Sequence, residues 1–298
     1  MLQLLTACLL WAPSFGVIKH VLPGLDPNFV TWTRMLFSFV LFAPLLRLRG
    51  IRPNAIRGLL AVGAVQYGIM YVAYTYSYRF LQAHEVALFT IFTPLYVTFI
   101  NDAVEKRFHW RFLPAVLLAV AGTAVIVGVG AAVHGTVVGW VLVQASNLSF
   151  ALGQVAYRRL MGTGGKAPAG SGRLRDRDVF GLLYGGALLL ATLSLSASGG
   201  WPTAVSRAEL AALGYLGLVA SGVGFFLWNV GARRVNAGTL AVFNNAKIPL
   251  AVLVSLLVFG ESARGVARLL VGGVAIVGAV LLNETWAARR PKDARTPG

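Results

Sequence analysis

Apolar stretches about twenty residues long recur along the chain, each closed by charges, prolines or glycines. The windows 2–21, 28–46, 57–78, 83–101, 111–131, 136–157, 179–197, 209–230, 237–259 and 266–285 read as ten spans. A membrane helix needs about 20 mainly apolar residues, because its backbone must satisfy its own hydrogen bonds across a hydrocarbon layer about 30 Å thick. The pattern therefore predicts an all-α membrane protein of ten transmembrane helices. The first window runs on through Trp11 and Pro13, so it is expected to remain as an anchor and not to be cleaved as a signal.

Basic residues divide unequally between alternate loops. Taking the N-terminus as cytoplasmic, the inner segments hold Arg47, Arg49, Arg52, Arg57, Lys106, Arg107, Arg111, Arg158, Arg159, Lys166, Arg173, Arg175, Arg177, Arg233, Arg234, Arg289, Arg290, Lys292 and Arg295. The outer segments hold only Arg79, Arg207, Arg264 and Arg268. This positive-inside bias places both termini in the cytoplasm. It also explains the formal charge of +16 without a nucleic-acid partner, since the bases sit between apolar spans and not on one basic face.

The two halves of the sequence echo each other. Pro94, Glu105 and Gly122 are matched by Pro249, Glu261 and Gly278, and Trp11 and Lys19 are matched by Phe150 and Arg158. The chain thus divides into a first five-helix repeat, 1–131, and a second, 136–285, followed by a basic cytoplasmic tail, 286–298. The Gly-, Ala- and Arg-rich stretch 161–177 is expected to be a flexible cytoplasmic loop. An odd number of spans per repeat turns the second copy upside down, so the fold expected is two inverted five-helix repeats (5+5). Such an arrangement supports alternating access.

Composition narrows the function. Hydrophobic residues make up 57% and charged residues 12% of the chain, against about 25% charged in an ordinary soluble domain. Cys8 stands alone, which excludes a disulfide framework and a CxxC metal site. There is no HExxH, GxSxG or Walker motif, so neither an integral-membrane enzyme nor direct ATP drive is supported. No metal or cofactor is expected. The partners expected are a small-molecule substrate and the lipid bilayer, with the chain acting as a monomer.

Lys247 is the most informative residue. It lies about midway along the ninth window, roughly 15 Å from the nearer interface at about 1.5 Å per residue, too far for its ammonium to snorkel. A charge at that depth costs at least about 2.5–3.5 kcal/mol unless it faces a cavity or a partner. All ten carboxylates fall near span ends or in loops. Two readings stay open for Lys247: contact with a substrate carboxylate, or a structural hydrogen bond to carbonyls. Pro249, two residues on, frees the carbonyl of Asn245 near the same level.

Tyr67, Tyr71, Tyr74 and Tyr78 recur at i, i+4, i+7 and i+11, which puts four hydroxyls on one face of the third span. Such a face fits a polar interior better than lipid. The candidate substrate-binding set is Lys247, Asn244, Asn245, Tyr71, Tyr74, Tyr78, Trp11, Ser14, Phe92, Gln154, Phe225 and Trp228. Pro13, Pro94 and Pro249 are candidate kinks. Gln66, Gln144, Asn147 and Asn229 read as glue between helices, and Gly181 and Gly185 as a close-packing face. Arg34, a couple of turns inside the second span, is within reach of the outer interface and is read as mainly structural. Glu105 and Glu261 are read as complements to helix dipoles. Glu85 and His84 are the candidates for proton coupling, although facilitated diffusion is favoured.

The run WAPSFGVIK at 11–19, the Pro…Glu spacing in each half and the pair Gly260–Glu261 resemble the EamA-type ten-helix branch of the drug/metabolite transporter superfamily. The first half departs from it in having Val104 before Glu105. Within that branch, the tyrosine-rich third span and the mid-membrane Asn-Asn-x-Lys resemble the YddG-type aromatic amino-acid exporters. The resemblance implies a transporter of the bacterial inner membrane that exports small amphipathic metabolites, amino acids including aromatic ones, by alternating access. The alternatives are an exporter of cationic drugs or other metabolites by proton antiport, for which a mid-membrane carboxylate is missing, and an integral-membrane enzyme.

Overall fold

The computed structural model describes residues 1–104, 106, 133–162 and 175–235, and beyond these the positions 243, 244, 247, 250, 251, 254, 255, 257–260, 271, 274 and 278. The spans expected at 111–131 and 266–285 and most of that at 237–259 lie outside the described residues, as do Asn245, Pro249, Glu105 and Glu261. Every described regular element is helical. Among the described residues, seven helices are long and apolar enough to cross a membrane: Leu2–Val21, Pro27–Leu45, Pro53–Ser77, Ala83–Val104, Thr136–Met161, Asp176–Ser198 and Arg207–Ala232.

Three of the seven change helical type part-way. The other spans include α1 (Leu2–Val21), α-helical throughout, and α2 (Pro27–Phe42), which ends in a 3₁₀ turn at Ala43–Leu45. Then α3 (Pro53–Gly63) passes through a π-helical stretch, Ala64–Ile69, into α4 (Met70–Ser77). Next α5 (Ala83–Phe89) tightens to a 3₁₀ turn at Thr90–Phe92 before α6 (Thr93–Val104). They are followed by α7 (Val133–Met161) and α8 (Asp176–Ser198), and by α9 (Arg207–Gly214), which joins α10 (Gly224–Ala232) through a π-helical stretch at Tyr215–Val223.

Span ends follow ordinary capping chemistry. Asp26 caps α2 by accepting from the Asn28 amide at 2.8 Å, with Pro27 in the first turn, where no amide is needed. Gln82 with Glu85, and Ser206 with Glu209, form capping boxes on α5 and α9. The Glu85 carboxylate therefore bonds to the Gln82 amide at 2.8 Å, which gives this coupling candidate a local structural task. Gly199 closes α8 in the left-handed conformation, φ +62°.

Lateral packing matches a lipid environment. On α8, Leu189 and Leu193 are 66% and 64% exposed, while Ala187 and Ala191 on the opposite face are fully buried. In water this apolar ridge would be a liability; in lipid it carries no cost. The backbones of α3 and α8 touch at Gly63 and Gly186. A Cβ on Gly63 would stand 1.8 Å from the Leu183 carbonyl oxygen, and one on Gly186 would stand 1.9 Å from that of Leu60. The glycine of α8 in backbone contact is thus Gly186, one residue beyond the Gly181–Gly185 face expected, whereas a Cβ on Gly181 would first meet the Leu46 side chain, at 2.8 Å.

Candidate functional site

The changes of helical type gather around one cavity. Pro94 has no amide to return to Thr90, and the Thr93 hydroxyl donates to that carbonyl instead, at 2.8 Å. One turn back, the Phe89 carbonyl accepts from Asn147 Nδ2 at 2.9 Å and Gln144 Nε2 at 3.4 Å, both on α7. In the π stretch between α9 and α10, backbone carbonyls accept from side chains of other spans: Ser38 Oγ reaches Gly217 at 2.7 Å, Trp11 Nε1 reaches Ala220 at 2.8 Å, and Tyr184 Oη reaches Ser221 at 2.6 Å. Irregular backbone at membrane depth survives only where such donors or a polar cavity satisfy it. α1 is continuous through Pro13, and the Leu10 carbonyl in its turn takes the Tyr215 hydroxyl at 2.6 Å.

The cavity measures about 70 Å³. Its aromatic wall is Trp11, Phe15, Tyr71, Tyr74, Phe150 and Phe225, with Met70 filling a gap. Trp11 and Phe225 pack with centroids 4.6 Å apart, Tyr71 and Phe225 at 5.9 Å, and Phe15 and Tyr74 at 6.0 Å. A polar strip of Ser14, Thr90, Thr93, Ser146 and Asn147 completes the wall, with Arg34 and Lys247 as its two cations. No described carboxylate lines it.

Of the substrate-binding set read from the sequence, Lys247, Trp11, Ser14, Tyr71, Tyr74 and Phe225 line this cavity. Lys247 is 8% exposed; its Nζ donates to Asn244 Oδ1 at 3.3 Å and lies 5.3 Å from the Trp11 ring centroid. Asn244 thus stands behind Lys247. Trp228 stands behind Trp11, with ring centroids 5.1 Å apart. Phe92 and Gln154 are buried without lining the cavity. Tyr78 borders a second cavity of about 260 Å³, together with Lys19, Thr75 and Arg79. Tyr67, the first of the four tyrosines, accepts from Asn229 and packs on Tyr184 with centroids 5.3 Å apart. Asn245 and Pro249 lie outside the described residues.

Arg34 is the chief residue that sequence reasoning misplaced. It is 2% exposed and turned inward, donating Nε to Ser221 Oγ at 3.1 Å and Nη2 to Tyr71 Oη at 2.8 Å. The Tyr71 ring lies 4.0 Å from its guanidinium carbon. It cannot reach the outer interface because these partners hold it in the bundle. Asn147, Thr93 and Phe150 also belong to the wall. The available signal was the mid-span charge of Arg34 together with the amide pair Gln144 and Asn147, which sequence spacing alone does not separate from packing glue.

Comparison with known proteins agrees with this architecture. The profile of the EamA-like transporter family matches residues 1–128 and 179–284. A probable biotin transporter of Pseudomonas aeruginosa is 39% identical over 95% of this chain and 97% of its own. The biotin transporter of Salmonella typhimurium is 36% identical over 99% and 96%. A probable terminal-alkyne amino-acid exporter of Streptantibioticus cattleyicolor is 24% identical over 97% and 94%. A crystal structure of another protein shares the fold, with a TM-score of 0.66 at 20% identity and 97% of each chain covered. The chain belongs to the EamA-like transporter family of membrane transporters.

Proposed function

We propose that this protein carries small amphipathic carboxylates across the bacterial cytoplasmic membrane, with biotin as the first cargo to test. The observation that carries this reading is a cavity walled by aromatic rings and holding two cations but no described carboxylate. Biotin supplies what such a wall selects: a carboxylate for a cation, an apolar bicyclic body for the rings, and a neutral cyclic urea for hydroxyl and amide groups. Two relatives that align along nearly their whole length, at 36% and 39% identity, are named biotin transporters.

Amino acids are the second reading, favoured by the exporter at 24% identity. An amino acid also brings an α-ammonium, which would meet Arg34 and Lys247 with no described carboxylate of the wall to compensate it. Charge balance therefore ranks a plain carboxylate above a zwitterion. The same balance opposes cationic drugs.

A cavity of about 70 Å³ is smaller than pockets that enclose drug-sized solutes, which run about 300–1,000 Å³. Loading requires the walls to part, and the two π stretches and the 3₁₀ turn at Thr90–Phe92, where the helices change type, are the places proposed to give. Within this reading the chain works as a monomer built of the two inverted repeats 1–131 and 136–285, with cytoplasmic termini.

The test is purified protein in liposomes, offered labelled biotin and, separately, labelled aromatic amino acids, with and without a pH gradient. Biotin uptake that saturates and is blocked by excess biotin is expected. Saturable amino-acid uptake with none for biotin would overturn the proposal.

A further inference from the structure

Arg34 holds more positive charge than its described partners use. One edge of its guanidinium is closed, because Nε donates to Ser221 Oγ at 3.1 Å and Nη2 to Tyr71 Oη at 2.8 Å. Those two hydroxyls are themselves joined, with Ser221 Oγ donating to Tyr71 Oη at 3.0 Å. The Tyr71 ring lies along one face at 4.0 Å. Nη1 is buried, has no hydrogen-bond partner, and belongs to a residue that lines the central cavity. No described carboxylate pairs with Arg34. A buried guanidinium nitrogen left without an acceptor costs the desolvation of a charged donor, so the site is built to receive an oxygen.

Its geometry says which kind of oxygen. A carboxylate on arginine prefers the two-pronged fork of parallel N–H groups. Here the Nε–Nη2 edge is already occupied by hydroxyls, and Nη1 is the guanidinium nitrogen left with no partner; one neutral carbonyl oxygen satisfies it, while the cargo's single carboxylate goes to the cation with more unused donors. Lys247 is the opposite case: it has three donors, of which one weak bond at 3.3 Å reaches Asn244, so its ammonium retains donors for both oxygens of a carboxylate. The two cations also stand at the ends of one chain of ring contacts. Lys247 lies 5.3 Å from Trp11, Trp11 4.6 Å from Phe225, Phe225 5.9 Å from Tyr71, and Tyr71 4.0 Å from Arg34.

We infer that Arg34 is a specificity residue that reads the carbonyl oxygen of the substrate's neutral polar head, a urea or amide, while Lys247 takes the carboxylate. The inference rests on the function proposed above and assigns the two ends of the cargo to two residues. A solute without a head carbonyl leaves Nη1 buried and unpaired, which penalises fatty acids and simple aromatic acids that satisfy Lys247 alone. Discrimination of this kind is larger than any apolar pocket achieves by shape.

The experiment measures displacement of labelled biotin from purified protein by three analogues, for the wild type, Arg34→Lys, Arg34→Met and Lys247→Met. In 2-iminobiotin a protonated imine replaces the carbonyl oxygen; biotin methyl ester lacks the charged carboxylate; desthiobiotin keeps both groups. The wild type should bind desthiobiotin nearly as well as biotin and 2-iminobiotin about 10- to 100-fold more weakly, the scale of one hydrogen bond to a charged group. Both Arg34 variants should shrink the 2-iminobiotin gap by about 10-fold and leave the methyl-ester gap in place. Lys247→Met should do the reverse.

Equal binding of biotin and 2-iminobiotin by the wild type overturns the assignment without any variant. So does a methyl-ester gap that closes in the Arg34 variants, or a uniform loss for all analogues in Arg34→Lys at matched folded protein. Wild-type protein that binds no biotin overturns the proposed function, and this assignment with it.

Discussion

The Tyr78 hydroxyl donates to that of Tyr74 at 2.6 Å, and the two rings belong to different cavities: Tyr74 to the central one, Tyr78 to the wider one beside Lys19 and Arg79. The Tyr78 backbone carbonyl also accepts from Lys19 Nζ at 2.8 Å, which ties the end of α4 to α1. We expect this phenol pair to act as a partition between the two spaces, one that side-chain rotation would open.

Tyr78→Phe removes that bond at a modest cost to stability, about 0.5–1.5 kcal/mol. With Cys8 replaced by Ser and a cysteine placed at Ser14 on the central wall, the Tyr78→Phe background should raise the rate of modification by a water-soluble thiol reagent several-fold. An unchanged rate would show that the pair does not separate the two spaces.

Arg233 was counted in the sequence only as a topology signal, yet it ties three helices together. Its Nη1 meets Asp176 Oδ1 at 2.6 Å, its Nε donates to the Gly162 carbonyl at 2.8 Å, and its Nη2 donates to that of Met161 at 2.6 Å. Tyr157 Oη donates to the same Asp176 oxygen at 2.6 Å. The pair is mostly shielded, with 15% and 19% side-chain exposure. Arg233→Gln should therefore cost about 1.5–3 kcal/mol of stability while leaving substrate choice unchanged. The midpoint of thermal unfolding in detergent and a competition panel read the two effects separately; changed selectivity would place Arg233 in the transport path.

The seven described spans were legible because hydrophobic length is a strong signal. Windows at 2–21 and 83–101 meet helices Leu2–Val21 and Ala83–Val104, and other boundaries shift by a few residues, two of them set by the caps Asp26 and Ser206. The aromatic wall was half legible, since i, i+4, i+7 spacing puts tyrosines on one face but cannot say where that face turns. The π stretch at Ala64–Ile69 leaves Tyr67 in packing against Tyr184 while Tyr71 and Tyr74 reach the cavity. Arg34 was misread because its partners, Tyr71 and Ser221, are 37 and 187 residues away in sequence. The cargo is not legible in the sequence: a mid-span lysine such as Lys247 suits an anion, but a carboxylate on biotin and one on an amino acid look the same to a single ammonium.

Lys247 is where that ambiguity can be resolved. Its side chain is buried, bonds only weakly to Asn244 at 3.3 Å, and faces the central cavity across Trp11. Lys247→Met keeps the length and apolar bulk of the stem and removes the charge. If the ammonium meets the cargo carboxylate, biotin uptake should lose about 1.5–3 kcal/mol of binding, or roughly 10- to 150-fold in apparent affinity. Biotin methyl ester, which has no charge to lose, should bind as well as before or better. A purely structural lysine predicts the other pattern, in which acid and ester weaken equally and less protein reaches the membrane. Lys247→Arg separates the cases further: a longer cation in the same slot should retain preference for the acid over the ester even where affinity falls. Equal weakening of acid and ester in Lys247→Met, at matched amounts of folded protein, would remove Lys247 from the binding site.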